Sequence, residues 1–140
     1  MSNILEVNVK RIDDKIKFEG VAGDNPTVVV DYPVPYGTGN GYTSLELLLI
    51  SLCTCSSSSF VLMLKKMNKE IVDIKVKAIG ERRTEHPTGF KTINLFFDIV
   101  SPNTSNEEMD KVIKYSEETL CPVWNMLKGN VEINCSYILE

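Results

Sequence analysis

Between Leu47 and Leu64 the chain reads LLLISLCTCSSSSFVLML, 18 residues without a single charge. That is the bare length at which an apolar run can cross a bilayer. Six of the 18 are Ser or Thr, and no second run of this kind exists. Strand-like segments on both sides need to pair with each other, so the run reads as a buried helix and no membrane partner is expected. Thr43-x-x-Glu46 fits a capping box that starts this helix, and Lys65-Lys66 and Asn68 end it. A helix over about 44–68 is roughly 37 Å long at 1.5 Å per residue. A compact chain of 140 residues has a radius of gyration of only about 14 Å. Leu47-Leu48-Leu49-Ile50 are apolar on every side of a turn, and a helix apolar all round must be buried all round. One small protomer has little cover to offer it, which predicts a homodimer sharing the helix core.

Around this helix the pattern is strand-rich. Alternating runs predict strands over 4–12, 15–21 and 27–32, with Asp13-Asp14 and Gly23-Asp24-Asn25-Pro26 as turns. The loop YPVPYGTGNGYT leads into the helix. Further strands are expected over 71–83 and 90–100, a second helix from Ser105 toward Leu127, and a closing strand over 131–139. The order β-β-β-α-β-β-α-β lacks regular βαβ alternation and predicts a single α+β domain over residues 1–140. Lys and Arg total 15 against 19 Asp and Glu, a net charge of −4; no basic patch stands out, so nucleic acid is not an expected partner. The N-terminal MSNILEVNVKRIDDK has no apolar signal core. A cytoplasmic location is therefore expected, where thiols stay reduced and a redox-active cysteine is more plausible than a disulfide framework.

With one histidine, His86, in a turn before Pro87, the four cysteines carry the chemical interest. Cys53 and Cys55 lie about 200° apart on a helix, so at most one of them faces a given pocket. Taken alone, either reads first as a small buried hydrophobe. Cys121 precedes Pro122, a residue favoured in the first turn of a helix. There its thiol meets free backbone N–H groups and the positive end of a helix dipole, unless the proline merely kinks a continuous helix. Cys135 falls on the apolar set of the last strand and reads as core. The spacing 53, 55, 121, 135 lacks the paired C-x-x-C of zinc sites, so no metal is expected. Glu46 is first of all a capping residue, and alternatively a carboxylate poised near a thiol. Arg82 and Arg83 end a strand, where a solvated strand end is the default. The glycines of residues 37–41 lack the spacing of a phosphate loop.

Taken together, Glu46-Leu47-Leu48-Leu49-Ile50-Ser51-Leu52-Cys53-Thr54-Cys55 opening a long helix, and Cys121-Pro122-Val123-x-x-Met126-Leu127-Lys128 before a closing strand, resemble the OsmC/Ohr superfamily. Glu81-Arg82-Arg83 through Pro87, Phe90 and Ile93-Asn94-Leu95 resemble its OsmC-like branch. The likeness runs over about residues 5–139. It implies an α+β fold of antiparallel sheets around two long central helices in an intertwined homodimer. It also implies thiol-dependent reduction of hydroperoxides, with Cys55 in the place of the peroxidatic cysteine and Cys121 in that of the resolving one. Cys53 matches no family cysteine. No bound cofactor is implied; an external dithiol is the expected reductant, and a small hydroperoxide the substrate.

Two positions depart from the family pattern. Family reductases carry a Glu ten residues before the peroxidatic cysteine, where this chain has Leu45; Glu46 stands one step further on. Their activating Arg has no counterpart between Val21 and Leu45. Arg82 or Arg83 is the preferred substitute, with Arg11 as another candidate and Glu46 as the orienting carboxylate. Adjacent strand residues point to opposite faces, so one arginine of the pair is expected to face inward. The other reading is a non-catalytic or redox-sensing dimer that holds a small apolar ligand at its interface.

Overall fold

A computed structural model describes residues 3–140. The chain divides into two compact units, residues up to Leu48 and Leu49–Glu140.

The first unit contains an antiparallel three-stranded sheet of β1 (Asn8–Arg11), β2 (Phe18–Val21) and β3 (Val28–Val30). All three strands are shorter than the alternating runs that predict them. The Asp13 carboxylate closes the first turn by accepting the backbone N–H groups of Lys15 and Lys17 at 2.9 and 3.0 Å. The loop after β3 is organised by Asp31, which is fully buried. Its carboxylate accepts the N–H of Tyr32, the N–H and hydroxyl of Thr38, and the N–H of Asn40, the last at 3.2 Å. The loop closes so tightly that a Cβ on Gly37 would run into the Tyr32 carbonyl and the Asp31 carboxylate. These hydrogen bonds, that of the Thr38 hydroxyl first, hold the Asp31 carboxyl down at about 2.

Helix α1 (Ser44–Lys66) starts in the first unit and runs on through the second. Its start is the expected capping box: Thr43 N–H donates to Glu46 at 2.8 Å, and Glu46 N–H donates to the Thr43 hydroxyl at 3.2 Å. In the second unit its buried stripe is Leu52, Ser56, Ser59, Phe60 and Leu64, spaced for one helical face. The hydroxyls in this run need no outside partner. Ser56, Ser58 and Ser59 donate back to the carbonyls of Leu52, Thr54 and Cys55, the local bonding open to Ser inside a helix. Burial all round is not what the single chain shows, since Ile50 is 43% and Leu62 60% exposed.

The second sheet has the order β4 (Asp73–Arg82), β5 (Phe90–Val100), β6 (Glu132–Leu139). Strands β4 and β5 form the expected antiparallel pair, but β5 and β6 run parallel. This corrects the expectation of purely antiparallel sheets. A parallel neighbour requires a crossover, and here it is helical. The helix expected over 105–127, with a new start at Cys121 left open, is three pieces: α2 (Asn106–Tyr115), a π-turn over Ser116–Leu120, and α3 (Pro122–Leu127), which Cys121 does start. The break has a backbone cause. Pro122 offers no N–H, and the Cys121 N–H reaches back five residues to the Ser116 carbonyl at 2.8 Å.

Strand β5 supplies the centre of the core through Ile93, Leu95, Phe97 and Ile99, joined by Met109, Val112 and Trp124 from the crossover. The rings of Phe60 and Phe97 meet with centroids 4.7 Å apart.

Candidate thiol site

The structure brings Cys55 and Cys121 together. Cys55 is half-buried on α1, two turns into the second unit, and it is the side chain that acts on the Cys121 thiol. Cys121 is the N-cap of α3 and is 1% exposed. Its Sγ accepts the Trp124 backbone N–H at 3.5 Å. Burial pushes the Cys121 thiol up to about 11, Cys55 pushes the same way, and the backbone N–H groups of Trp124 and Val123 oppose both. The expected lowering by the start of a helix is therefore present but outweighed.

The other two cysteines lie apart from this pair in character. Cys53 is half-buried and raised by burial alone. Cys135 stands opposite Leu95 in the parallel register, and burial, with Glu117 adding repulsion, lifts its thiol to about 12. At both, burial disfavours the thiolate. Among the described residues, no three of His, Cys, Asp and Glu are grouped so as to hold a metal ion.

The charged candidates have other occupations. Glu46 is bound into the capping box, and its hydrogen bonds to Thr43 hold its carboxyl below the usual range. Arg82 and Arg83 are both exposed, contrary to the expectation that one faces inward. The reason is that β4 ends at Arg82: Arg83 lies beyond the strand, where alternation no longer applies, and Arg82 sits at its exposed end. The Arg82 guanidinium then donates to the Thr88 carbonyl at 2.7 Å and to the Thr88 hydroxyl. Arg83 lines a shallow depression with Thr84, Glu85 and Lys91.

Known proteins resemble this chain in sequence and fold. A family model described as OsmC-like protein matches residues 37–136. The chain belongs to the OsmC-like family. Protein YhfA of Escherichia coli strain K12 is 33% identical over 93 residues, covering 66% of this chain and 69% of that protein. The crystal structure of an OsmC-like protein from Mycoplasma pneumoniae has a TM-score of 0.84 at 24% identity, with 99% of each chain covered. An organic hydroperoxide resistance protein from Elizabethkingia anophelis, crystallised with thiocyanate bound, has a TM-score of 0.74 at 19% identity over the whole of both chains. The fold is thus the OsmC-like α+β fold.

Within that OsmC-like frame, sequence reasoning missed Trp124. Its backbone N–H is the donor that the capping Cys121 sulfur accepts, and its buried indole N–H has no hydrogen-bond partner among the described residues. The spacing held the signal: with Pro122 at the first helical position, residue 124 is the one whose N–H a capping side chain accepts. Asp31 was missed as well, because a single Asp before a Pro-rich loop carries no mark of burial.

Proposed function

We propose that this OsmC-like protein is a thiol-dependent hydroperoxide reductase in which Cys55 attacks and Cys121 resolves. The observation that supports the reading is that Cys55 acts on the Cys121 thiol, since a resolving step needs the sulfurs to be neighbours. The Cys55 thiolate attacks the outer peroxide oxygen, the O–O bond breaks, and the departing alkoxide takes up a proton as the alcohol. Cys55 is left as a sulfenic acid. The Cys121 sulfur then displaces hydroxide from it, forming a disulfide and water. An external dithiol restores both thiols by two exchange steps and leaves as its own cyclic disulfide.

The chain acts without a bound cofactor, in the cytoplasm, and as a homodimer. The exposed apolar side chains of α1, Ile50 and Leu62, support the dimer. A second reading draws on the occupations of Glu46 and Arg82. With those charges engaged elsewhere, the dimer would sense redox state or hold a small apolar ligand without turnover. Steady-state reduction of cumene hydroperoxide with a dithiol decides between them. Turnover that disappears in Cys55→Ser supports the reductase; absence of turnover in the wild-type protein removes it and leaves the binding reading.

A further inference from the structure

We propose that the crossover around Cys121 binds one buried water molecule, held between the Ser116 hydroxyl and the Trp124 indole N–H. The site is independent of the reductase reading.

Among the described residues, the Ser116 hydroxyl and the Trp124 indole nitrogen are the buried side-chain polar atoms that lack a hydrogen-bond partner. Ser116 is 0% and Trp124 1% exposed, so bulk solvent reaches neither. A buried polar group left alone is destabilising, and internal water is the usual partner where the protein supplies none. Comparable hydroxyls in this chain are served. Those of Ser56 and Ser59 donate to carbonyls four residues back in their own helix, and that of Ser101 reaches the Glu70 carbonyl. Ser116 does not take the local route, where its backbone N–H is the donor to the Val112 and Ile113 carbonyls. Its hydroxyl is left for a partner outside its own helix.

Two contacts place these groups around one residue. The Cys121 N–H donates to the Ser116 carbonyl at 2.8 Å, and the Cys121 Sγ accepts the Trp124 backbone N–H at 3.5 Å. Helix α3 also packs against the π-turn that Ser116 opens. The main-chain break has its own remedy. In the register of the π-turn the next donor after Cys121 is Pro122, which has no N–H; Lys128 Nζ serves the Glu117 carbonyl in its place at 3.4 Å. What stays unserved is an indole that can only donate and a hydroxyl that both donates and accepts. Water complements the two, because its oxygen accepts the indole proton while it shares a second bond with the hydroxyl. A π-turn closes a ring one residue larger than an α-turn, and its looser wall gives a single solvent molecule room. A larger ligand does not suit, since both residues are closed to solvent. Such a water ties the π-turn to α3 on the two sides of Cys121 and helps to fix its cap.

Trp124 is the only tryptophan in the chain, so its indole proton gives one NMR signal that needs no assignment. In the wild-type protein that proton should show a dipolar cross-peak with water, of the sign produced by a water held longer than the protein takes to tumble. Ser116→Ala should weaken the cross-peak and lower Tm by about 2–4 °C at fixed protein concentration, because the water loses a partner. Were Ser116 without any partner, the same change would remove an unserved group and leave Tm equal or higher. Trp124→Phe and the double variant complete a cycle: a shared water makes the double loss smaller than the sum of the single losses, whereas separate surroundings give additive losses. Absence of the cross-peak in wild type, an unchanged or raised Tm in Ser116→Ala, or full additivity overturns the proposal. The cross-peak is read on the unaltered protein, so a Trp124→Phe chain that fails to fold leaves the test standing.

Discussion

Glu108 Oε2 lies 2.8 Å from Lys69 Nζ, so one carboxylate both completes the capping box of α2 and receives a charge from the segment that follows α1. The hydrogen bond from Lys69 comes first among the effects that hold the Glu108 carboxyl down at about 2, with the Ser105 N–H next. Its folded pKa lies below the unfolded value of about 4.3. The stabilisation is therefore fully present above that value and is lost as pH falls toward 2. Thermal melts between pH 5 and pH 2 should show a steeper fall in Tm for wild type than for Glu108→Gln. The amide keeps the capping box and removes the titration, so equal slopes would refute the assignment.

Asp31 should govern the order of its loop. Asp31→Ala removes the acceptor for three backbone N–H groups and the Thr38 hydroxyl at once, leaving part-buried donors without partners. Limited proteolysis should then cut between residues 32 and 42 at low protease, where the wild-type loop resists. Unchanged cleavage would mean that the loop is held by something else.

Phe60 and Phe97 join α1 to the second sheet through tilted rings 4.7 Å apart, both buried. Each Phe→Leu change should lower the unfolding free energy by about 1 kcal/mol. The double variant should lose less than the sum, with a coupling of about 0.5–1.5 kcal/mol beyond simple area burial. Urea titrations of the four proteins measure it, and full additivity would show that the ring contact contributes nothing of its own.

Much of this fold is legible in the residues, and the parts that are not share a cause. The start of α1 follows from Thr43 and Glu46, whose reciprocal bonds are local. The bounds of β5 follow from alternation alone. The parallel pairing of β5 with β6 is invisible to alternation, because inward and outward residues look the same in either strand direction. The π-turn before Cys121 leaves no periodic trace over five residues. At the site, proline spacing marked Cys121 as a helix start, whereas its burial depends on tertiary packing. The end of β4 at Arg82 likewise defeated the expectation of an inward arginine, since alternation holds only within a strand and Arg83 lies beyond it.

The four cysteines should separate cleanly in function. Cys53 and Cys135 are both raised by burial, so Cys53→Ser and Cys135→Ser should each keep hydroperoxide turnover within about twofold of wild type. Cys55→Ser should show none. Cys121→Ser should complete one round of oxidation and then stall as a sulfenic acid, which dimedone traps in a mass spectrum. Turnover lost in Cys53→Ser would shift the assignment to the other face of the helix.

The crossover position of Cys121 ties chemistry to endurance. Because one sulfur is carried by α1 and the other by the segment linking β5 to β6, a bond between them encircles a loop of about 65 residues, enough to remove roughly 4 kcal/mol of freedom from the unfolded chain. The oxidised protein should therefore melt well above the reduced one, and calorimetry of the two forms measures the gap. Each round of the cycle would alternate between a tougher and a softer molecule, and the tougher form is the one that waits when reductant runs short.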